Sequence, residues 1–206
     1  MKALTVGVAT VAALIVGAVL GGLLLGSESE PEDQSPEAGF ARDMSVHHAQ
    51  AVEMAFIVRH RTDDPEVRVM AYDMINTQRA QMGMFSGWLQ QWELPQTSVR
   101  PPMQWSDHGH GEAMMESYDD MPGMASDAQL DQLREASDVE AELLFLELMI
   151  DHHRGGVEMA EAVLPLTDRS EVTYLADTIV AGQQAEVATM EDMLIARKAL
   201  YDPPTS

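Results

Sequence analysis

The stretch FLELMIDHHRGGVEMAEAVL, residues 145–164, reads as an amphipathic helix carrying two adjacent histidines, His152 and His153, between Met149 and Met159. Nearly the same pattern stands earlier, in FARDMSVHHAQAVEMAFIV at residues 40–58, with Met44, His47, His48 and Met54. Both have the form Met-x-x-His-His-x5-Met, offset by 105 residues (152 − 47 = 105). The offset persists downstream without a gap. Thr62/Thr167, Glu66/Glu171, Ala71/Ala176, Gln78/Gln183 and Leu89/Leu194 coincide, and 17 of the 50 positions in 40–89 match their partners in 145–194. Self-similarity of that length indicates one structural unit used twice.

Each copy divides into two helices. Residues 39–60 are free of proline and helical in period; RTDDPE then breaks the run, with Asp64 suited to cap and Pro65 to open a second helix reaching about Leu94. In the second copy a helix over 138–164, a break at Pro165 and a helix over 170–200 repeat the plan. Few residues favour strands. The expected fold is all-α, a four-helix bundle in one domain over 39–200, built from two repeated hairpins (39–94 and 138–200) related by an approximate two-fold. Residues 201–206 form a tail. The crossover, 95–137, is rich in Pro and Gly and is expected to stay irregular until a short helix near 126–136.

Thirty-four acidic against twelve basic residues give a formal charge of -22. This excludes nucleic acid as a partner, since phosphates require clustered Lys and Arg. It suits cations, although an acidic face also serves solubility. The opening residues 1–26 hold Lys2 and then 24 uncharged residues, Ala3–Gly26, enough to cross a hydrocarbon layer of ~30 Å. No clear Ala-x-Ala-like cleavage site precedes Ser27, and no cysteine exists to carry a lipid. The expectation is an uncleaved, single-pass transmembrane helix that tethers an extracytoplasmic bundle, with secretion after signal cleavage as the alternative. Residues 27–38, SESEPEDQSPEA, are acidic and lack large apolar side chains, so they are expected to form a disordered tether.

On a helix, residues three apart are neighbours, so Met44/His47 and Met149/His152 can each chelate. Met44 to Met54 spans about 15 Å, too far for one helix to wrap one ion, and an internal two-fold would bring the two pairs together. Two thioethers with two imidazoles suit Cu(I). Sixteen methionines without cysteine fit such a protein in an oxidising compartment. Because imidazole ligates only when neutral, affinity is expected to fall as pH drops through ~6.5. A di-iron bundle uses Glu-x-x-His, but Met44, Ser45, Met149 and Ile150 occupy the positions three before these histidines; Glu53, Glu147 and Glu158 lie nearby in sequence. Met70, Met74 and Met82, in an i, i+4 series with Gln78, read as core packing, as do Met190 and Met193. His48 and His153 stand open between ligand, supporting and surface roles.

The segments FARDMSVHHAQAVEMA and FLELMIDHHRGGVEMA, with MPGMASDAQLDQL before the second, resemble the bacterial family called domain of unknown function 305, which includes CopM-type copper-binding proteins. The similarity covers roughly residues 39–197. It implies a ferritin-like four-helix bundle, export from the cytoplasm and a role in copper binding or resistance, with no known reaction. The first copy departs from the second, with Ser45 and Val46 against Ile150 and Asp151. The expectation is a protein that sequesters Cu(I), or exchanges it with a copper-accepting or copper-donating protein. Its bundle ligands are Met44, His47, His48, Met54, Met149, His152, His153 and Met159. His108, His110, Met114, Met115, Met121 and Met124 in the crossover form a looser, exchangeable site. The alternatives are a ferritin-like metal oxidase, which needs carboxylates close to the histidines, and a metal-free cell-surface interaction module.

Overall fold

The computed structural model describes residues 29–106 and 115–201. The expected membrane helix, His108, His110, Met114 and residues 202–206 lie outside the described residues. No helix among the described residues is long and apolar enough to cross a membrane.

The described residues form five α-helices and no strand: α1 (Pro36–Arg59), α2 (Pro65–Gln91), α3 (Asp127–Glu135), α4 (Asp138–Val163) and α5 (Ser170–Tyr201). Short 3-10 turns lie at Tyr118–Asp120 and Leu164–Leu166. Local chemistry sets the boundaries. Ser35 accepts from the Ala38 N–H at 3.3 Å and Pro36 takes the first turn, so α1 begins three residues before the expected position 39. Ahead of it, the buried guanidinium of Arg42 holds the Asp33 carbonyl at 2.8 Å and carboxylate at 2.6 Å. The end of the acidic segment is thereby tied to the bundle. Asp64 caps α2 by accepting from the Val67 N–H at 2.9 Å, ahead of Pro65. That helix stops at Gln91, short of Leu94, because Glu93 turns the chain at φ 56°, a conformation incompatible with a continuing right-handed helix.

Helix α1 pairs with α2 and α4 with α5; the hairpins meet mainly through α1 against α4, whereas α2 and α5 scarcely approach each other. The apolar core has two clusters. One contains Met54, Phe145 and Met149, the other Phe40, Met44, Phe85 and Met159. Each cluster thus takes the early methionine of one copy and the late methionine of the other, as two antiparallel copies require.

The crossover is irregular in backbone but fixed in place. Asp43 accepts from the Met103 N–H at 2.8 Å and the Trp105 indole at 2.7 Å, and the indole lies where any Cβ on Gly39 would stand. Gln50 grips Ala125 by donating to its carbonyl at 2.8 Å and accepting from its N–H at 2.7 Å. Gly155 lets the Pro122 carbonyl lie against α4, and Gly123, at φ +74°, sits on the Asp151 carbonyl. At the far end of the bundle, buried Glu142 accepts from Arg197 at 2.7 Å and from Thr62, and Arg197 also reaches Asp64 at 2.8 Å.

Candidate metal centre

Adjacent helix residues point about 100° apart, so burying both members of a His-His pair requires cover on two sides of the helix. The bundle supplies it. His47, His48, His152 and His153 are all fully buried. His47 and His152 meet across the α1–α4 contact with ring centroids 3.8 Å apart and planes tilted by 31°. The outer pair turns to each hairpin's second helix: His48 Nε2–H donates to Gln81 Oε1 and His153 Nε2–H to Glu186 Oε2, both at 2.7 Å. Gln81 and Glu186 are themselves repeat partners (186 − 81 = 105).

These bonds settle the ring chemistry. A carbonyl or carboxylate oxygen can only accept, so His48 and His153, and His47 through its 3.0 Å bond to the Pro122 carbonyl, carry the proton on Nε2. The Nδ1 atoms of all three are buried without a partner, and on the uncharged rings of His47 and His48 they are bare lone pairs. Neither ring nitrogen of His152 makes a hydrogen bond of acceptable geometry, although the His47 carbonyl lies near enough to favour its charged form. Burial pushes His47 down to about 4, offset in part by the Pro122 carbonyl. His48 falls to about 3, first by burial and then by its neighbour His47. His152 lies well below the ordinary value, by burial and then the other histidines. At neutral pH these three rings are uncharged donors. The expected fall in ligation near pH 6.5 is therefore displaced toward pH 4, because desolvation opposes the charged ring.

Met44, Met54, Met149 and Met159 are fully buried on the same helices. They do not gather as Met44 with Met149: those two lie in different core clusters, and Met44 shares its cluster with Met159. In the crossover, Met121 is buried in the second cluster with Met115 and Met124 packed against it, so these thioethers belong to a fixed surface strap. Glu53, Glu147 and Glu158 are exposed, the first two paired with Arg134 and Lys198. Among the described residues no three His, Asp or Glu side chains converge closely enough to hold a metal ion by themselves.

Sequence reasoning missed the polar layer around the histidines. Gln78 and Gln183 are buried, and all four of their amide atoms lack partners. Gly156 makes room for one of them, since a Cβ there would occupy the position of the Gln183 amide. The signal was the identity of Gln78 and Gln183 within the repeat, a polar residue kept inside an apolar series.

The chain belongs to the family "Domain of unknown function (DUF305)", whose model matches residues 37–194. It is similar to a candidate secreted DUF305 protein from Streptomyces coelicolor, 47% identical over 81% of this chain and 96% of that one, with a TM-score of 0.74. A DUF305 fragment from Deinococcus radiodurans is 35% identical over 77% of this chain and 95% of that one, TM-score 0.63. CopM in its Cu(II)-bound form is 27% identical over 79% of this chain and 97% of that one, TM-score 0.61. No curated protein matches the chain.

Proposed function

We propose that this chain is an extracytoplasmic copper-binding protein whose buried histidine layer, with the flanking thioethers, takes Cu(I) for sequestration or transfer. The observation that carries it is the set of four buried histidines with bare or unpartnered Nδ1 atoms. Leaving such atoms unsatisfied costs roughly 1–3 kcal/mol each, which packing alone does not require. Three rings are neutral at physiological pH, the state in which imidazole ligates. Two outer rings are oriented by an amide and a carboxylate, the supporting partners that ligating histidines characteristically have. Similarity to CopM in Cu(II)- and Cu(I)-bound forms, 27% and 26% identical, supports copper. The candidate secreted relative supports export, by a retained or a cleaved N-terminus.

The proposed ligands are His47, His48, His152 and His153 with Met44, Met54, Met149 and Met159. His108, His110, Met114 and the partly buried Met115 and Met124 form the secondary set, whereas Met121 packs in the core. A competition titration on tag-free protein tests the proposal. Cu(I) is expected to bind more tightly than Zn(II) or Fe(II), and His47→Ala with His152→Ala to abolish the tightest site. Displacement of Cu(I) by Zn(II) at equal concentration, or full affinity in the histidine variant, would refute it.

A further inference from the structure

The crossover closes one side of the histidine layer. The Pro122 carbonyl holds His47, Gly123 sits on the backbone at Asp151, and Gln50 fastens Ala125. The opposite side is different, because the backbones of α2 and α5 come close at few points. Between them lies a cleft of about 100 Å³, with Thr77, Thr178 and Gly182 at an exposed rim and Gln78, Gln81 and Gln183 buried behind them. Two of these residues make no hydrogen bond through their side chains: the amides of Gln78 and Gln183 are unpartnered. The third, Gln81, is bonded to His48, and Glu186 in the same wall is bonded to His153. Glu186 is 32% exposed while the imidazole it holds is fully buried, so it runs from solvent to the histidine layer. It also lines a second, wider groove of about 680 Å³ farther along the seam, together with Glu66, Asp73, Met70 and Met193. Met70 and Met193 are only partly buried there.

We propose that the α2–α5 seam is the route by which the ion reaches the histidine layer. Met70 and Met193 offer thioethers at the outer groove, Glu186 joins outer groove to inner cleft, and the amides of Gln78 and Gln183 replace water around the moving ion. The route depends on the histidine layer being the copper site. The chemistry of each station fits a soft monovalent cation. Carboxylates draw cations from solvent, thioethers select soft ones, and neutral amide oxygens pass an ion on without trapping it. An unpaired buried amide costs roughly 1–3 kcal/mol and a glycine within a helix about 1 kcal/mol. Gln78, Gln183 and Gly156 together carry both penalties at one place, and a polar passage accounts for all three.

The test is stopped-flow uptake of Ag(I), and of Cu(I) delivered from a weak chelator, by the full chain. Three variants are compared with wild type: Gln78→Leu with Gln183→Leu, Gly182→Leu, and Met70→Leu with Met193→Leu. A Cβ on Gly182 meets nothing, so Gly182→Leu obstructs the rim without disturbing the core, should the double glutamine variant fail to fold. The first two variants are expected to slow uptake by at least about tenfold while final stoichiometry is unchanged, as for binding that must wait on a conformational opening. The methionine variant is expected to slow uptake less. Wild-type rates in Gly182→Leu and in a folded glutamine variant would overturn the route, as would slowing confined to Met115→Leu with Met124→Leu in the crossover. A wild-type protein that takes up neither ion would overturn the copper site and the route with it.

Discussion

The two copies of the repeat place their histidine pairs and flanking methionines at equivalent positions of corresponding helices, yet their surroundings differ at three points. His48 is held by the amide of Gln81, whereas His153 is held by the carboxylate of Glu186. Gln50 grips the crossover through two hydrogen bonds, whereas its counterpart Gly155 gives way so that Pro122 can lie close. Arg197 closes one end of the bundle by a buried ion pair with Glu142; at the other end Trp92 takes its place, with Arg169 over the ring at 5.8 Å. A duplicated framework positions the histidines symmetrically, and single substitutions on it set polarity, access and stability separately for each side.

The largest effect expected concerns what the copies share. For His47, His48 and His152 the folded protein holds fewer protons than the unfolded chain between pH 6.5 and the lowered folded values of about 4 and about 3 for the first two. Stability is therefore fully present above pH 6.5 and is lost as pH falls below it, by about 1.4 kcal/mol per pH unit for each ring. A loss of that kind is a sizeable part of the roughly 5–15 kcal/mol that holds a domain folded. The metal-free bundle should unfold between about pH 6 and 4, seen as loss of helical circular dichroism, and Cu(I) should shift that transition to lower pH. A helical signal unchanged down to pH 3 would show the rings to be less buried than described.

Next come the two ends. Arg197→Ala leaves Glu142 buried and uncompensated and should destabilise the bundle by about 3–5 kcal/mol in denaturant unfolding. Its counterpart test, Trp92→Leu, removes a ring contact worth about 0.5–1 kcal/mol beyond burial, so the end it closes should suffer less. Equal losses would mean that the ion pair carries no special share. Smaller again is the contrast between the glycines. Gly155→Ala collides with backbone at Pro122 and should cost about 1–3 kcal/mol and loosen the crossover. Gly156→Ala meets the Gln183 side chain first, which can move, and should cost less. Replacing the buried methionines by leucine, a volume-conserving change, should leave stability within about 1.5 kcal/mol while weakening copper binding.

Much of this architecture was legible in the sequence. The 105-residue offset and the helix-period runs gave both hairpins, because Asp64, Pro65 and the break at Pro165 act through local backbone chemistry. The pairing of His47 with His152 follows from the two-fold. The repeat does not carry the direction of α1 against α4, and that direction separates Met44 from Met149. The crossover was harder to read, since its order comes from contacts distant in sequence, Asp43 with Trp105 and Gln50 with Ala125. Gln78 and Gln183 were visible as repeat identities, but hydropathy periodicity assigns a residue to a face and cannot say that its amide goes unpaired.

The histidine layer as a copper site is tested most directly by copper K-edge X-ray absorption of the tag-free protein loaded with one equivalent of Cu(I). Imidazole nitrogen scattering together with at least one sulfur shell is expected, with the nitrogen component weakened in His47→Ala with His152→Ala. A sulfur-only shell that is identical in wild type and in that variant would put the ion on methionines elsewhere and contradict the assignment.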